Sequence, residues 1–378
     1  MAIEIREVRP GGDVDDFLKA GHVVFAGDPA WVPPLEFDIR GRLNPKKNPL
    51  FLRADVTLFC AYKDGKLVGR CSATVDREHL RLWKDDTGFF GFLDTIDDQE
   101  VADALLRRAE TWLRDKGMKR AMGPMSLYAN DEIGCLIEGF EHPPVIMMGH
   151  SREYQAKLIE GAGYAKEKDL WAWRYHKDTP FNDRTLRAWE SIRAIPEMRL
   201  RSIDMKNFAR DVRTIIEIYN DAWAGKWGFV PATGPEVDKM VEELRLVLDP
   251  DIAFMAELDG HAVGMCIMVP NLNEAIADLN GKLFPFGWAK LLYRTKVKVP
   301  KSTRLILLGI RGEARKNVKK YGGLSAAMYV EVAKRGIAKG YEWSELGWTR
   351  EDDSPINLGI RSMGAKVYKK YRVFKKDL

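Results

Sequence analysis

The chain has 378 residues, 46% hydrophobic and 30% charged, too long for one comfortable core and too apolar for disorder, so two domains are expected. Sixty Lys and Arg against fifty-five Asp and Glu leave a formal charge of +5, which marks no generally basic nucleic-acid binder. Four cysteines without a CxxC pair and six histidines without HxxxH or HxH spacing suggest neither a zinc site nor a disulfide framework. The longest aliphatic stretches, such as Leu305 to Ile310, are too short to span a bilayer, so a cytoplasmic protein with reduced thiols is expected.

In chain order, the first strand is read at Ile5-Arg6, and Trp31-Val32-Pro33 follows the first helical stretch. Phe59 to Cys71 reads as two alternating strands turning at Asp64-Gly65, where glycine takes the positive φ of a tight hairpin. A short loop of acids and bases, residues 77–87, leads to another strand. Ala104 to Leu113 then has helical spacing and stops at Gly117, a left-handed cap. Beyond the fifth strand lie Gly123-Pro-Met-Ser and Asn130-Asp-Glu-Ile-Gly134, and Gly163 precedes a Lys-rich strand.

After a linker helix the pattern returns. Leu200-Arg201 repeats Ile5-Arg6, and Phe254 to Cys266 repeats the hairpin as F-x-A-x-x-D-G-x-x-V-G-x-C, at an offset of 254 − 59 = 195. Phe229-Val230-Pro231 repeats Trp31-Val32-Pro33 at 198, Leu324 to Ala333 before Gly340 is the second long helix, and Gly364 repeats Gly163 at 201. Matches in order at nearly constant offset indicate duplication. The expected organisation is a degenerate N-terminal copy at 1–176, a linker helix at 177–196 and a C-terminal copy at 197–378.

The copies differ at two places. An insertion, Asn271 to about Ser302, occurs only in the second copy and carries Phe284, Phe286 and Trp288 beside Lys290 to Lys298. Its readings are a lid, a membrane-surface segment or a nucleic-acid contact, and a lid over a cofactor is preferred because it lies beside a phosphate loop in sequence. Before the long helix the first copy is acidic, with Asp94, Asp97, Asp98 and Glu100, whereas the second has Arg315 to Ser325 with Lys316, Lys319, Lys320, Gly322 and Gly323. Glycines at a helix start let N–H groups converge on an anion, and the helix terminus adds partial positive charge. From Leu279 through Val330 the sole acid is Glu313.

Lys320-Tyr-Gly-Gly323-Leu-Ser325 resembles the Arg/Gln-x-x-Gly-x-Gly/Ala loop with which the GNAT superfamily of N-acetyltransferases holds the pyrophosphate of acetyl-CoA. Gly123-Pro-Met-Ser, Trp348 to Asn357 and Tyr371-Arg-Val-Phe374 are similar to an uncharacterised bacterial group of tandem GNAT proteins. The resemblance covers nearly the whole chain. It implies an α/β (α+β) fold of two GNAT-like domains, each a mixed, mostly antiparallel sheet flanked by helices. It also implies an acyltransferase using acetyl-CoA or another acyl-CoA, with a small-molecule or peptide amine as acceptor. Leu308, Gly309 and Ile310 would hold the pantetheine arm, and Lys319, Lys320, Tyr321, Gly322, Gly323, Leu324 and Ser325 the pyrophosphate.

Acyl transfer to an amine needs a base for the ammonium and an acid for the leaving thiolate. Glu313, Glu345 and Glu351, at or after strand ends, compete as base. Ile360 stands where many family members carry the acidic tyrosine, so Tyr368 and Tyr371 are substitutes, Tyr371 being the catalytic candidate. Trp227, Asn130 and Glu132 are candidates for the acceptor pocket. An aminoacyl-tRNA-dependent transferase, with the basic segment on tRNA, and a non-catalytic CoA or nucleotide sensor are the alternatives.

Overall fold

The computed structural model describes residues 2–128 and 131–378, apart from the side chains of Lys296, Val318 and Lys319. The first half runs β1 (Ile3–Val8), α1 (Asp15–Val24), α2 (Glu36–Arg42), β2 (Ala54–Lys63), β3 (Lys66–Asp76), α3 (Arg77–Trp83), β4 (Thr87–Thr95) and α4 (Gln99–Asp115). It continues with β5 (Arg120–Gly123), β6 (Cys135–Glu138), α5 (Gln155–Gly161) and β7 (Ala165–His176). Helix α6 (Asp183–Arg193) leads to β8 (Met198–Ser202), α7 (Phe208–Trp223), α8 (Gly234–Val247), β9 (Ala253–Leu258) and β10 (His261–Pro270). The inserted α9 (Asn273–Ile276) and α10 (Gly287–Lys296) precede β11 (Ser302–Ile310). Then come α11 (Gly312–Lys316), α12 (Val318–Tyr321), α13 (Leu324–Ala338), β12 (Trp343–Arg350), α14 (Ser354–Ser362) and β13 (Lys366–Asp377).

The repeated hairpins are β2–β3 and β9–β10. Their turns have the same conformation, with positive φ at both central residues: 51° and 78° at Asp64-Gly65, 49° and 78° at Asp259-Gly260, the geometry that matches strand twist. The two long helices form as their spacing requires, α4 and α13, with Gly117 and Gly340 at φ 83° and 90° just beyond them. Residues 77–87, read as a loop, instead contain α3. The Asp76 carboxylate accepts the N–H groups of Glu78 (2.9 Å) and His79 (3.3 Å), so a cap starts a helix too short to show a period.

All the described strands join one mixed sheet, ordered β1-β2-β3-β4-β5-β13-β7-β12-β11-β10-β9-β8, with β6 on β13. The halves exchange their last strands. The strand β13 lies antiparallel against β5 of the first half, while β7 lies antiparallel against β12 of the second. At the centre β7 and β13 pair with each other, Ala165 opposite Lys375 and Arg174 opposite Lys366. Both crossings link residues related by one offset (366 − 165 = 201; 375 − 174 = 201), which is the mark of a pseudo-twofold axis.

Helices cover both faces of the sheet. Trp173, Phe254, Cys266, Leu346 and Ile360 pack with Leu324, Met328 and Val332 of α13 on one face of the second half. Val212, Ile215 and Ile216 of α7 pack with Met255, Met265 and Ile267 on the other. The first half repeats the arrangement, with Val101, Leu105 and Ala109 of α4 against Phe59, Cys71 and Ala73, and Phe17 and Leu18 of α1 against Leu58 and Cys60.

Candidate active site

Strand β11 pairs in parallel with β12 only from Ser302–Trp343 to Leu305–Leu346. Beyond that point β12 continues along β7 and β11 along β10, out to Ile310. The strands therefore splay, and the β12-side edge of 306–310 has no strand partner among the described residues. A register shift places Met268 opposite Leu305 and Ile267 opposite Leu307, so Ile306 is an extra, bulged residue where the splay opens. Peptide N–H and C=O groups on such an edge can bond an extended amide-bearing arm.

The first half has the same splay between β4 and β5, which pair only over Thr87–Phe89 and Arg120–Met122. There the chain closes it. The Met125 N–H donates to Phe90 O (2.8 Å), and a Cβ on Gly91 would lie 1.9 Å from Met125 O. Glycine at 91 is what allows residues 124–127 to fill the cleft.

At the far end of β11 the chain turns through α11 and α12 into α13. Arg315, Lys316, Lys320, Gly322 and Ser325 are exposed there, and Tyr321 is half-buried. The Lys320 Nζ sits 5.5 Å from the Tyr321 ring centre. Gly323 has a packing duty: a Cβ on it would be 3.1 Å from Ala188 Cβ of α6. Leu324 is core. On β11, Leu308 and Ile310 are half-buried, and the bare face of Gly309 admits the Trp223 ring, whose Cζ3 would be 2.7 Å from a Cβ there.

Of the three candidate carboxylates, one is central. Glu345 on β12 is wholly buried opposite Arg304 of β11. The Tyr368 hydroxyl donates to its Oε2, and Arg304 Nε lies 3.6 Å from its Oε1. Burial pushes this carboxyl above its ordinary value, against the pull of Arg304 and Tyr368. Arg304 also donates to Ile146 O (2.9 Å), Met147 O (3.0 Å) and Gly347 O (3.1 Å), clamping a first-half loop onto the second half. Tyr371 is buried in the same cluster. Its hydroxyl, Arg304 Nε and Glu345 Oε1 are buried without a hydrogen-bond partner among the described residues, an arrangement that suits a polar guest or water.

Glu313 and Glu351 do not join Glu345. Past the end of β11, α11 turns Glu313 outward, where it meets exposed His261 at 3.2 Å. Glu351 is occupied by Lys166 Nζ (2.7 Å) and the Asp169 N–H (3.1 Å). Glu132 pairs with Arg42 (3.3 Å) and is near enough to act on the ionisation of Arg304 and Tyr371. The Trp227 indole donates to Glu167 (3.0 Å) and lines a cavity of about 30 Å³, one water's room, with His79, Trp83 and Met125. Asn130 and the Lys319 side chain lie outside the described residues. Ile360 is core.

Sequence reasoning missed Arg304 and Lys369. Lys369 is wholly buried with Nζ donating to Pro143 O (3.0 Å), and burial brings its ammonium down to about 8. Lys369 lies two and four residues from the buried Tyr371 and Val373, on the face of β13 that strand alternation turns inward, and the bulge between Val367 and Lys369 makes Tyr368 the extra residue. The lid reading also fails on position. The insertion joins β11 at its start, whereas the lysine-rich loop leaves from its end, about 26 Å away for eight residue steps.

No protein-family model matches the chain. It is 37% identical over 380 residues to a protein of Caulobacter vibrioides named bacterial ceramide synthase, covering all of this chain and 98% of that one. It is 36% identical over 368 residues to protein YghO of Escherichia coli, covering 97% and 93%. In three dimensions it resembles a GCN5-related N-acetyltransferase of Sphaerobacter thermophilus, with TM-score 0.55, 15% identity and coverage of 99% and 95%. It also resembles a tandem GNAT protein of the clavulanic acid biosynthesis pathway, with TM-score 0.54, 13% identity and coverage of 100% and 98%. Full-length identity to the first two proteins means that this chain belongs to one family with them, and the likeness to the second two shows that its duplicated fold is the tandem GNAT fold.

Proposed function

We propose that the protein is an acyl-CoA-dependent N-acyltransferase whose working cleft is the β11–β12 splay and whose acceptor is a long-chain amine. The observation that carries this reading is the contrast between the clefts: the first is filled by the chain at Met125, the second keeps an unpartnered strand edge. The name of the 37% relative supports the acceptor class, since a ceramide is the N-acyl amide of a long-chain amino alcohol.

The 306–310 edge suits the pantetheine amides, and the start of α13 with Arg315, Lys316 and Lys320 suits the pyrophosphate. Acyl-CoA, when bound, supplies an activated thioester carbonyl. The chain's part is to ready the amine and the leaving group. Glu345, held ionisable by Arg304, takes the proton from the attacking nitrogen, and burial makes it a stronger base than a surface carboxylate. Tyr371, whose buried hydroxyl has no hydrogen-bond partner among the described residues, returns a proton to the departing sulfur in this reading.

The test is release of free CoA from acetyl-CoA and palmitoyl-CoA with a long-chain amino alcohol, with the amide identified by mass spectrometry. The parent should form the amide, and Glu345→Gln should lower kcat by about a hundredfold or more with little change in binding of acyl-CoA. No amide from any acyl-CoA overturns the proposal.

A further inference from the structure

The inserted segment between β10 and β11 has a surface unlike the rest of the molecule. Of fifteen exposed large apolar side chains among the described residues, seven fall within residues 284–299: Phe284, Phe286, Trp288, Leu292, Tyr293, Val297 and Val299. Phe284 is 83% exposed, Phe286 73% and Trp288 53%. Scattered apolar exposure is ordinary, but a contiguous run marks a contact surface.

Helix α10 accounts for the direction of part of this run. Gly287, Leu291, Arg294 and Thr295 form its inner, less exposed arc. Trp288 and Leu292, four apart, and Ala289 and Tyr293, four apart, form its outer one. Arg294 is tied inward by Ala275 O (3.0 Å) and Asp278 Oδ2 (2.9 Å), so the outward face is left to apolar groups. The base of the insertion is fastened: Gly281 O accepts the Glu36 N–H (2.9 Å), Glu274 accepts the Lys301 N–H (2.8 Å), and Asn273 Nδ2 donates to Pro144 O (2.9 Å). Beside Glu36, Phe37 is 60% exposed.

Charge decides what this face meets. Residues 271–302 contain Lys282, Lys290, Arg294, Lys296, Lys298 and Lys301 against Glu274 and Asp278, so 6 − 2 gives +4. Asp278 is taken up by Arg294 and Lys290, and neither Lys282 nor Lys298 has a carboxylate within salt-bridge distance among the described residues. Exposed aromatics flanked by lysines suit a headgroup layer, where rings enter the acyl boundary and ammonium groups stay with phosphates.

We infer that the insertion docks the protein on the surface of an anionic lipid bilayer, with Phe284, Phe286 and Trp288 entering the interface and Lys282 and Lys298 on the headgroups. Docking does not depend on the acyl-transfer reading. It does set the bilayer at the start of β11, two residues from Arg304 and at the opposite end of the strand from the lysine-rich loop before α13.

The experiment is co-sedimentation of the full chain with vesicles of equal parts phosphatidylcholine and phosphatidylglycerol, and with pure phosphatidylcholine. The parent should pellet with the anionic vesicles, less with neutral ones, and less as salt rises. A Phe284→Ala, Phe286→Ala, Trp288→Ala variant and a Lys282→Glu, Lys298→Glu variant should each bind the anionic vesicles at least about tenfold more weakly. Every altered side chain is exposed, so unchanged thermal melting confirms intact folding, and amide formation in detergent separates loss of docking from loss of chemistry. Equal pelleting with both vesicles, or variants that bind like the parent, overturns the inference. So does failure to pellet together with a dimer in sedimentation velocity that the aromatic variant dissociates, which assigns the face to a second copy. So too does failure to pellet together with a gel shift of tRNA that the lysine variant abolishes, which assigns it to RNA.

Discussion

Lys369 carries a cost that the fold bears at neutral pH. Its ammonium is buried with one carbonyl partner, and its pKa falls to about 8 from an unfolded value near 10.4. Below pH 8 it is charged in both states, and the folded state bears the penalty of a buried charge. Between about pH 8 and 10 the unfolded chain holds the proton longer, so this penalty fades as pH rises. Lys369→Met should therefore stabilise the protein at pH 7 by up to about 3 kcal/mol. The gain should vanish above roughly pH 10, as measured by urea unfolding of parent and variant across pH. A stabilised variant that also loses amide formation would identify Lys369 as a residue kept for function. Glu345 was legible as a carboxylate near a strand end. Its partners were not, because Arg304 reaches it by parallel pairing and Tyr368 by a bulge, and neither leaves a local pattern.

At the scale of elements, the splay and the helix after it act together. The loop before α13 places Arg315, Lys316 and Lys320 in solvent at the positive end of a fifteen-residue helix, where cations are unfavourable unless an anion is near. Lys316→Glu with Lys320→Glu should weaken acyl-CoA binding about tenfold and more at low salt, measured by calorimetry. Because both side chains are exposed, thermal melting should stay within about a degree or two of the parent. The repeated hairpins were readable because a two-residue turn with positive φ is a local event announced by Asp-Gly. The closure of the first cleft was not readable. Gly91 and Met125 are far apart in sequence, and the acidic run at 94–100 offered only charge as a reason for the first copy to repel a phosphate.

For the whole molecule, the exchange of β7 and β13 is the feature that periodicity could not reveal. Both strands read as the closing strand of a half, and nothing in either says which fifth strand it joins. The repeat offset of 201 fits exchanged and unexchanged pairings equally; the ladder of β13 on β5 and of β7 on β12 distinguishes them. A chain ending at residue 365 should lose the strand between β5 and β7 and so unfold in both halves, not in the second alone, measured as loss of near-UV circular dichroism and of a single cooperative melt. Fragments 1–176 and 177–378 should each be insoluble when made separately, and soluble as a complex that co-elutes in gel filtration when made together.

The pseudo-twofold ladder has a consequence for how freely the two halves can diverge. A single copy closing its sheet with a partner's strand would be a symmetric dimer, stable only above its dissociation constant and forced to carry every substitution twice. Joining the copies through α6 replaces that constant with an effective concentration that dilution cannot lower. It also lifts the symmetry, so that one half can fill its splay with Met125 while the other keeps a bare strand edge beside the buried Glu345, Arg304 and Tyr371.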